Sequence, residues 1–355
     1  MAKWFSDIEA ALEANDKRGR VFTADHGRLL ISPHGARIVG CELEGVAGNL
    51  FWHGPGMTGA DTARTALATG GAAIGGDRLW VAPEVAFMWP DLAVARKDPL
   101  GTYDLPPQMD PGQWMVDADP PGHVRLSARM KLTDHRTDRN CSLALTRQIS
   151  LIDPPANLPK SIKSISFAIE NGMTILEADD RAVFGLWDLL QLPATGTLIC
   201  PTTARVDAPR SYYDPFGRRH VQCGERCVRF LIDGQRRIKM GLPPGVVTGR
   251  MAYYRRIDKT AVLVFRGFLP QPGQPYVDVP RDSDETFGGD AIQAYNDDAG
   301  PHSFGEMEYH NPALVGGRYP SSRTGCNVTH VLAGPDAAIR DCGATLLGVP
   351  IEPIA

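Results

Sequence analysis

The run Gly305-Glu306-Met307-Glu308-Tyr309-His310-Asn311-Pro312 places two carboxylates and an imidazole at alternate positions. On an extended strand such residues share a face, with neighbours roughly 7 Å apart. A carboxylate and an imidazole at that separation can straddle one small bound molecule, one taking a proton and the other giving one. Glu308 and His310 are therefore the candidate catalytic pair, and His302, in the preceding Gly-Pro-His turn, is a second candidate acid. The same spacing also describes the solvated polar face of an edge strand, and the pattern alone does not choose between them.

Other segments supply groups that bind rather than react. In GGDRLWVAPE, Arg78 carries a fixed fork of donors and Glu84 a carboxylate, and the two glycines let backbone approach closely. The plainer alternative is an ion pair of Arg78 with Glu84 or Asp77; Trp80 and Trp89 read as core. FGLWDLLQLP brings together Trp187, Asp188 and Gln191, an apolar wall beside polar anchors, with core packing as the alternative for Trp187. Lys239, inside the apolar run RIKMGL, needs an acidic partner or a wet cavity unless strand alternation exposes it. Gln293, Tyr295 and Asn296 complete the candidate binding set.

Strands must position these groups. The clearest is HVRLSARMKL, where Val124, Leu126, Ala128, Met130 and Leu132 alternate with polar residues, the period of a half-buried strand. Leu143, Leu145, Ile149 and Leu151 repeat it, as do Ile165, Phe167 and Ile169, and CVRFLI, AVLVFRGF, AIQAYN and THVLAG carry it onward. RLLIS and ARIVGCELEG flank Pro33, His34 and Gly35 as a hairpin. Ser6 with Glu9 forms a capping box and Ile8 with Leu12 an apolar face, which predicts a short helix over residues 6–15. With 37 glycines, 29 prolines and no alternating helical segments, the chain is expected to be all-β and antiparallel. No composition shift divides it, so residues 1–355 are expected to form a single β domain with residues 1–20 as a helical lead-in. Residues 53–122 are the least regular part, and long loops on a rigid sandwich are where ligand contacts tend to lie.

Composition narrows the partners. A formal charge of −4 and a pI near 6.1 speak against nucleic acid or an anionic membrane surface. The opening MAKWFSDIEAALEANDK has no secretory apolar run, and no stretch is apolar over the ~18 residues of a membrane span. Seven scattered cysteines do not form a disulfide framework, so a cytoplasmic protein is expected, and Cys223 with Cys227 lacks the second pair a zinc site needs. No metal is expected. No phosphate-binding glycine loop occurs, and no cofactor is expected either. A small neutral molecule is the natural ligand class; the oligomeric state is left open.

Three segments, SPHGARIVGCEL with NLFW, GGDRLWVAPE, and QAYND followed by GEMEYHNP, resemble in order and spacing bacterial members of the galactose mutarotase-like (aldose 1-epimerase-like) superfamily. FGLWDLLQLP, RIKMGLPP and FRGF extend the likeness over most of the chain. The resemblance implies a supersandwich of two large antiparallel sheets, with a sugar held in the cleft of one sheet and an acid/base pair acting at the anomeric centre. It places Glu308 at, or one residue from, the general base. It also exposes a departure: where mutarotases keep their general-acid histidine, this chain has Trp187. An isomerase acting on a free sugar is thus one expectation, a lyase or glycosidase a second, and a non-catalytic carbohydrate-binding protein a third.

Overall fold

In the computed structural model, which describes residues 3–24, 26–98, 101–316 and 321–354, the alternating segments pair into two ten-stranded sheets, every ladder antiparallel. The first runs Arg20–Ala24, Gly27–Ser32, Arg37–Leu43, Asp77–Ala82, Val183–Pro193, Phe304–His310, Ile292–Asn296, Ile238–Leu242 and Arg210–Ser211, and Leu314–Val315 pairs beside it on Val183–Pro193. The second runs Val221–Cys223, Cys227–Ile232, Gly196–Pro201, Arg250–Ile257, Thr260–Phe268, Ser321–Gly334, Lys163–Glu177, Arg139–Leu151, His123–Asp134 and Trp114–Ala118. The apolar set Val124, Leu126, Ala128, Met130 and Leu132 is buried while its polar neighbours stay partly or wholly exposed, as period-two patterning requires. Leu29, Ile31 and Ile38 of one sheet share a core with Ile149, Phe167 and Val264 of the other. This is the all-β supersandwich of two large antiparallel sheets that the sequence predicts.

The N-terminal helix spans Lys3–Ala14 and buries Phe5, Ile8 and Leu12 against Leu30 and Val39. Four further α-helices lie outside that prediction among the described residues, two of them the four-residue turns Glu84–Phe87 and Leu92–Ala95. Ala60–Thr69 falls within the irregular region, and Asp336–Leu347 lays Ile339, Gly343 and Leu347 on the outer face of the second sheet. Gly343 lets that helix come close: a Cβ there would meet Ile351 at 2.9 Å and Leu263 at 3.0 Å.

Between the sheets sits a fully buried ionic cluster. Arg147 bonds Asp77 and stands 3.3 Å from Asp188; Arg266 also bonds Asp77, and Asn171 donates to Asp188. Two carboxylates match two guanidiniums, which is the condition under which such burial is tolerated. Because successive strand residues point to opposite faces, anchoring Asp77 and Asp188 inward turns Arg78 and Trp187 outward.

Candidate functional site

The outward face of the first sheet gathers side chains from five strands. Trp80 lies opposite Trp187, and Trp187 opposite His310; Glu308 lies opposite Gln293; Tyr295 lies between Glu306 and Lys239. Loops rise around this face and enclose a cavity of about 580 Å³, within the range of small-molecule sites. Its walls are aromatic: Trp80 and Trp187 from the sheet, Trp89 and Tyr103 from the loops after Ala82, Tyr213 from the loop after Ser211, and Tyr295. Arg78, Glu84, Lys239 and Glu306 supply nearly buried polar groups from the sheet and the segment after Ala82, and Arg237, Arg281, Asp214, Asp297 and Asp298 add charged groups to the lining.

Charged contacts on this face are specific. Arg78 Nη2 donates to Glu306 Oε1 at 2.7 Å, and its guanidinium lies 4.3 Å over the Trp80 ring. Asp110 accepts from Arg37 and, at 2.6 Å, from Trp80 Nε1. Lys239 Nζ stands 3.1 Å from Glu308 Oε2 and 3.7 Å from Glu84 Oε2, and 4.5 Å over the Trp187 ring. Trp187 Nε1 donates to the same Glu308 oxygen at 2.8 Å while its indole stacks on His310. Glu308 is therefore sealed: it has no exposed surface and sits beneath an indole and an ammonium, with Oε1 unpartnered.

Burial shifts the titrations. It raises the carboxyls of Glu84 and Glu308 to about 7, with Lys239 opposing the rise. For Lys239 burial pulls down, yet Glu308 and Glu84 outweigh it and the ammonium is held charged. Burial lowers His310 to about 4, so its imidazole is neutral near pH 7, and neither ring nitrogen has a partner. Around neutrality this face thus holds protonatable carboxyls and an uncharged imidazole.

Of the residues singled out from sequence, Arg78, Glu84, Trp187, Lys239 and Tyr295 line the cavity. Glu308 and His310 lie on the same sheet face beneath it, and so does Gln293, whose Nε2 donates to Asp278 Oδ2 at 2.7 Å. Gln191 is on that face too, fully buried with no side-chain partner. Three assignments are corrected. Asp188 cannot share a face with Trp187; it turns into the inter-sheet ionic cluster. Asn296, next to Tyr295, likewise points the other way and pins the turn before Ile238 by accepting from the backbone N–H groups of Asp233 and Gly234 at 3.0 Å. His302 is exposed on a short 3-10 turn and does not line the cavity. Sequence reasoning missed Glu306 as a binding group and Trp80, Trp89, Tyr103 and Tyr213 as walls. The parity of Trp80 with Arg78 was the available signal, whereas the loop aromatics carry no periodicity to read.

Among the described residues, no group of three or more His, Cys, Asp or Glu is arranged to hold a metal ion, and no helix is long and apolar enough to cross a membrane. A family model described as "Family of unknown function (DUF6786)" matches residues 22–355. No curated protein matches the chain. Solved structures similar to it include a galactose mutarotase-like protein from Lactobacillus casei, with TM-score 0.47 and 8% identity over 88% of this chain and 99% of that one. An aldose epimerase homologue from C. elegans gives TM-score 0.47 and 10% identity over 89% and 98%. A galactose mutarotase related enzyme from Lactobacillus acidophilus gives 0.45 and 10% over 88% and 97%.

Proposed function

The chain belongs to the DUF6786 family of unknown function, and we propose that it binds a monosaccharide or sugar derivative in this cavity and carries out acid/base chemistry at the anomeric centre. The observation that carries this reading is the meeting of aromatic walls with an Arg78–Glu306 pair and a Glu84–Lys239 pair in one cavity. A pyranose has two apolar faces and a rim of hydroxyls. Indole and phenol rings stack on the faces while charged groups bond the rim.

Opening a hemiacetal moves two protons. As the C1–O5 bond breaks, its electron pair goes to O5, which takes a proton from an acid, and the O1–H proton passes to a base as C1=O1 forms. Reclosure on the other face returns both. Glu306, held by Arg78 at the cavity surface, is placed as the base in this scheme, and a protonated carboxyl serves as the acid. Glu308, which the sequence resemblance puts in the basic role, lies below the surface under Trp187. That sealing also supports a second reading, a carbohydrate-binding protein without turnover.

Saturation-transfer NMR of anomer exchange over a panel of aldoses, uronates and deoxysugars separates the two. Faster exchange with the wild type, lost in Glu306→Gln, is the expected result. Binding with unchanged exchange for every sugar leaves the non-catalytic reading, and no binding at all removes both.

A further inference from the structure

Lys239 is the cation that Glu84 and Glu308 share, at 3.7 and 3.1 Å. The other charged groups that face them are committed elsewhere. Glu306 pairs with Arg78 at 2.7 Å. Asp278 accepts the Glu84 backbone N–H at 2.6 Å and Gln293 Nε2 at 2.7 Å. Asp290 accepts from the Tyr212 hydroxyl at 2.8 Å and faces Arg210 at 3.7 Å. His310 is neutral, and burial keeps the phenols of Tyr103 and Tyr213 protonated. Within this trio two nearly buried carboxylates against one ammonium leave one uncompensated negative charge, which favours a bound proton, and Asp278, whose two donors are neutral, pushes Glu84 further in the same direction.

The two carboxyls do not compete equally for that proton. Glu308 Oε2 receives both the Trp187 N–H at 2.8 Å and the Lys239 ammonium at 3.1 Å, donors that favour the ionised form. Glu84 has the longer contact to Lys239 and faces the cavity. We propose that Glu84, Lys239 and Glu308 form a one-proton unit in which Glu84 holds the proton and presents it to the ligand, while Glu308 is a sealed counter-carboxylate that keeps it there. This puts an acid where the expected histidine is absent, and it rests on the sugar reading only for what the proton is used to do. In that use Glu84 gives its proton to the ring oxygen as the C1–O5 bond breaks and recovers it on reclosure. Glu308 is a positioning residue that touches no substrate.

Carboxyl-carbon NMR of the protein labelled at glutamate Cδ, titrated without ligand, tests the unit directly. The Glu84 resonance, assigned by its loss in Glu84→Gln, is expected to remain protonated at pH 6 and to titrate near neutrality. In Glu308→Gln the ammonium has a single carboxylate partner, so the proton affinity of Glu84 is expected to fall at least about tenfold. The alkaline limb of any anomer-exchange profile should move acidward with it. A Glu84 already ionised at pH 5.5 in the wild type overturns the proposal, and the wild-type titration decides this even if Glu308→Gln does not fold. An unshifted Glu84 titration in a folded Glu308→Gln overturns it equally. The predicted titrations with no sugar bound by any variant uphold the unit and remove the sugar reading; sugar exchange with Glu84 ionised does the reverse.

Discussion

Trp187 is the side chain on which the site turns, because one indole closes Glu308 from the cavity, donates to it and stacks on His310. Trp187→Phe keeps the ring and deletes the donor. It should cost about 1–3 kcal/mol, the range for leaving a buried acceptor short of a partner, measured by denaturant unfolding at neutral pH. Lys239→Met removes the cation from two buried carboxyls and should cost about 3–5 kcal/mol at pH 8, with much of the loss recovered at pH 5, where both carboxyls can be protonated. His310 makes the opposite demand on pH. Burial depresses its pKa from 6.5 to about 4, so its contribution is fully present above pH 6.5 and is lost as pH falls through about 4. The size is on the order of 3 kcal/mol. His310→Leu should flatten the stability curve across that window, whereas a wild-type and variant pair that decline in parallel would show the imidazole to be already charged. For the proton that Glu84 and Glu308 share, the folded pKa is raised from 4.5 to about 7, so its contribution is fully present below pH 4.5 and lost as pH rises through 7.

Strand identity was legible where one strand face meets water, and ambiguous where neither does. His123–Asp134 alternates in burial and in sequence alike. Val183–Pro193 is buried at ten consecutive positions from Val183 to Leu192, so composition no longer marks which residues share a face. Asp188 and Trp187 therefore read from composition as one set, although pleating alone separates adjacent residues. The inter-sheet ionic cluster was invisible for a related reason: it joins Asp77, Arg147, Asp188 and Arg266 across strands whose pairing the sequence does not state. The helix Asp336–Leu347 escaped because Gly343, a poor helix former, interrupts its apolar stripe between Ile339 and Leu347. Two substitutions address how these elements hold the site. Arg147→Met strips a partner from two buried carboxylates and should cost about 3–5 kcal/mol. Gly76, at φ +79°, leads into Asp77–Ala82, and a Cβ there would meet Ile38 O at 2.2 Å. Gly76→Ala should destabilise by at least about 1–2 kcal/mol from the left-handed backbone alone. It should also weaken ligand binding by displacing Arg78, which calorimetry can read separately from stability.

At the scale of the whole molecule, one sheet face looks inward to a core shared with its partner sheet while the other face, at its centre, carries the aromatic and charged cavity. Period two alone makes that division: each strand that sends Asp77, Asp188 or Tyr309 inward sends Arg78, Trp187 or Glu308 outward. That cavity is expected to receive a sugar ring against its aromatic walls. Calorimetric titration of the wild type and Trp80→Ala with a panel of aldoses and uronates is the most direct test. At least one sugar should bind the wild type and bind the variant at least about tenfold more weakly, about 1.4 kcal/mol. A panel in which nothing binds, or a sugar whose affinity is indifferent to Trp80, would contradict the account.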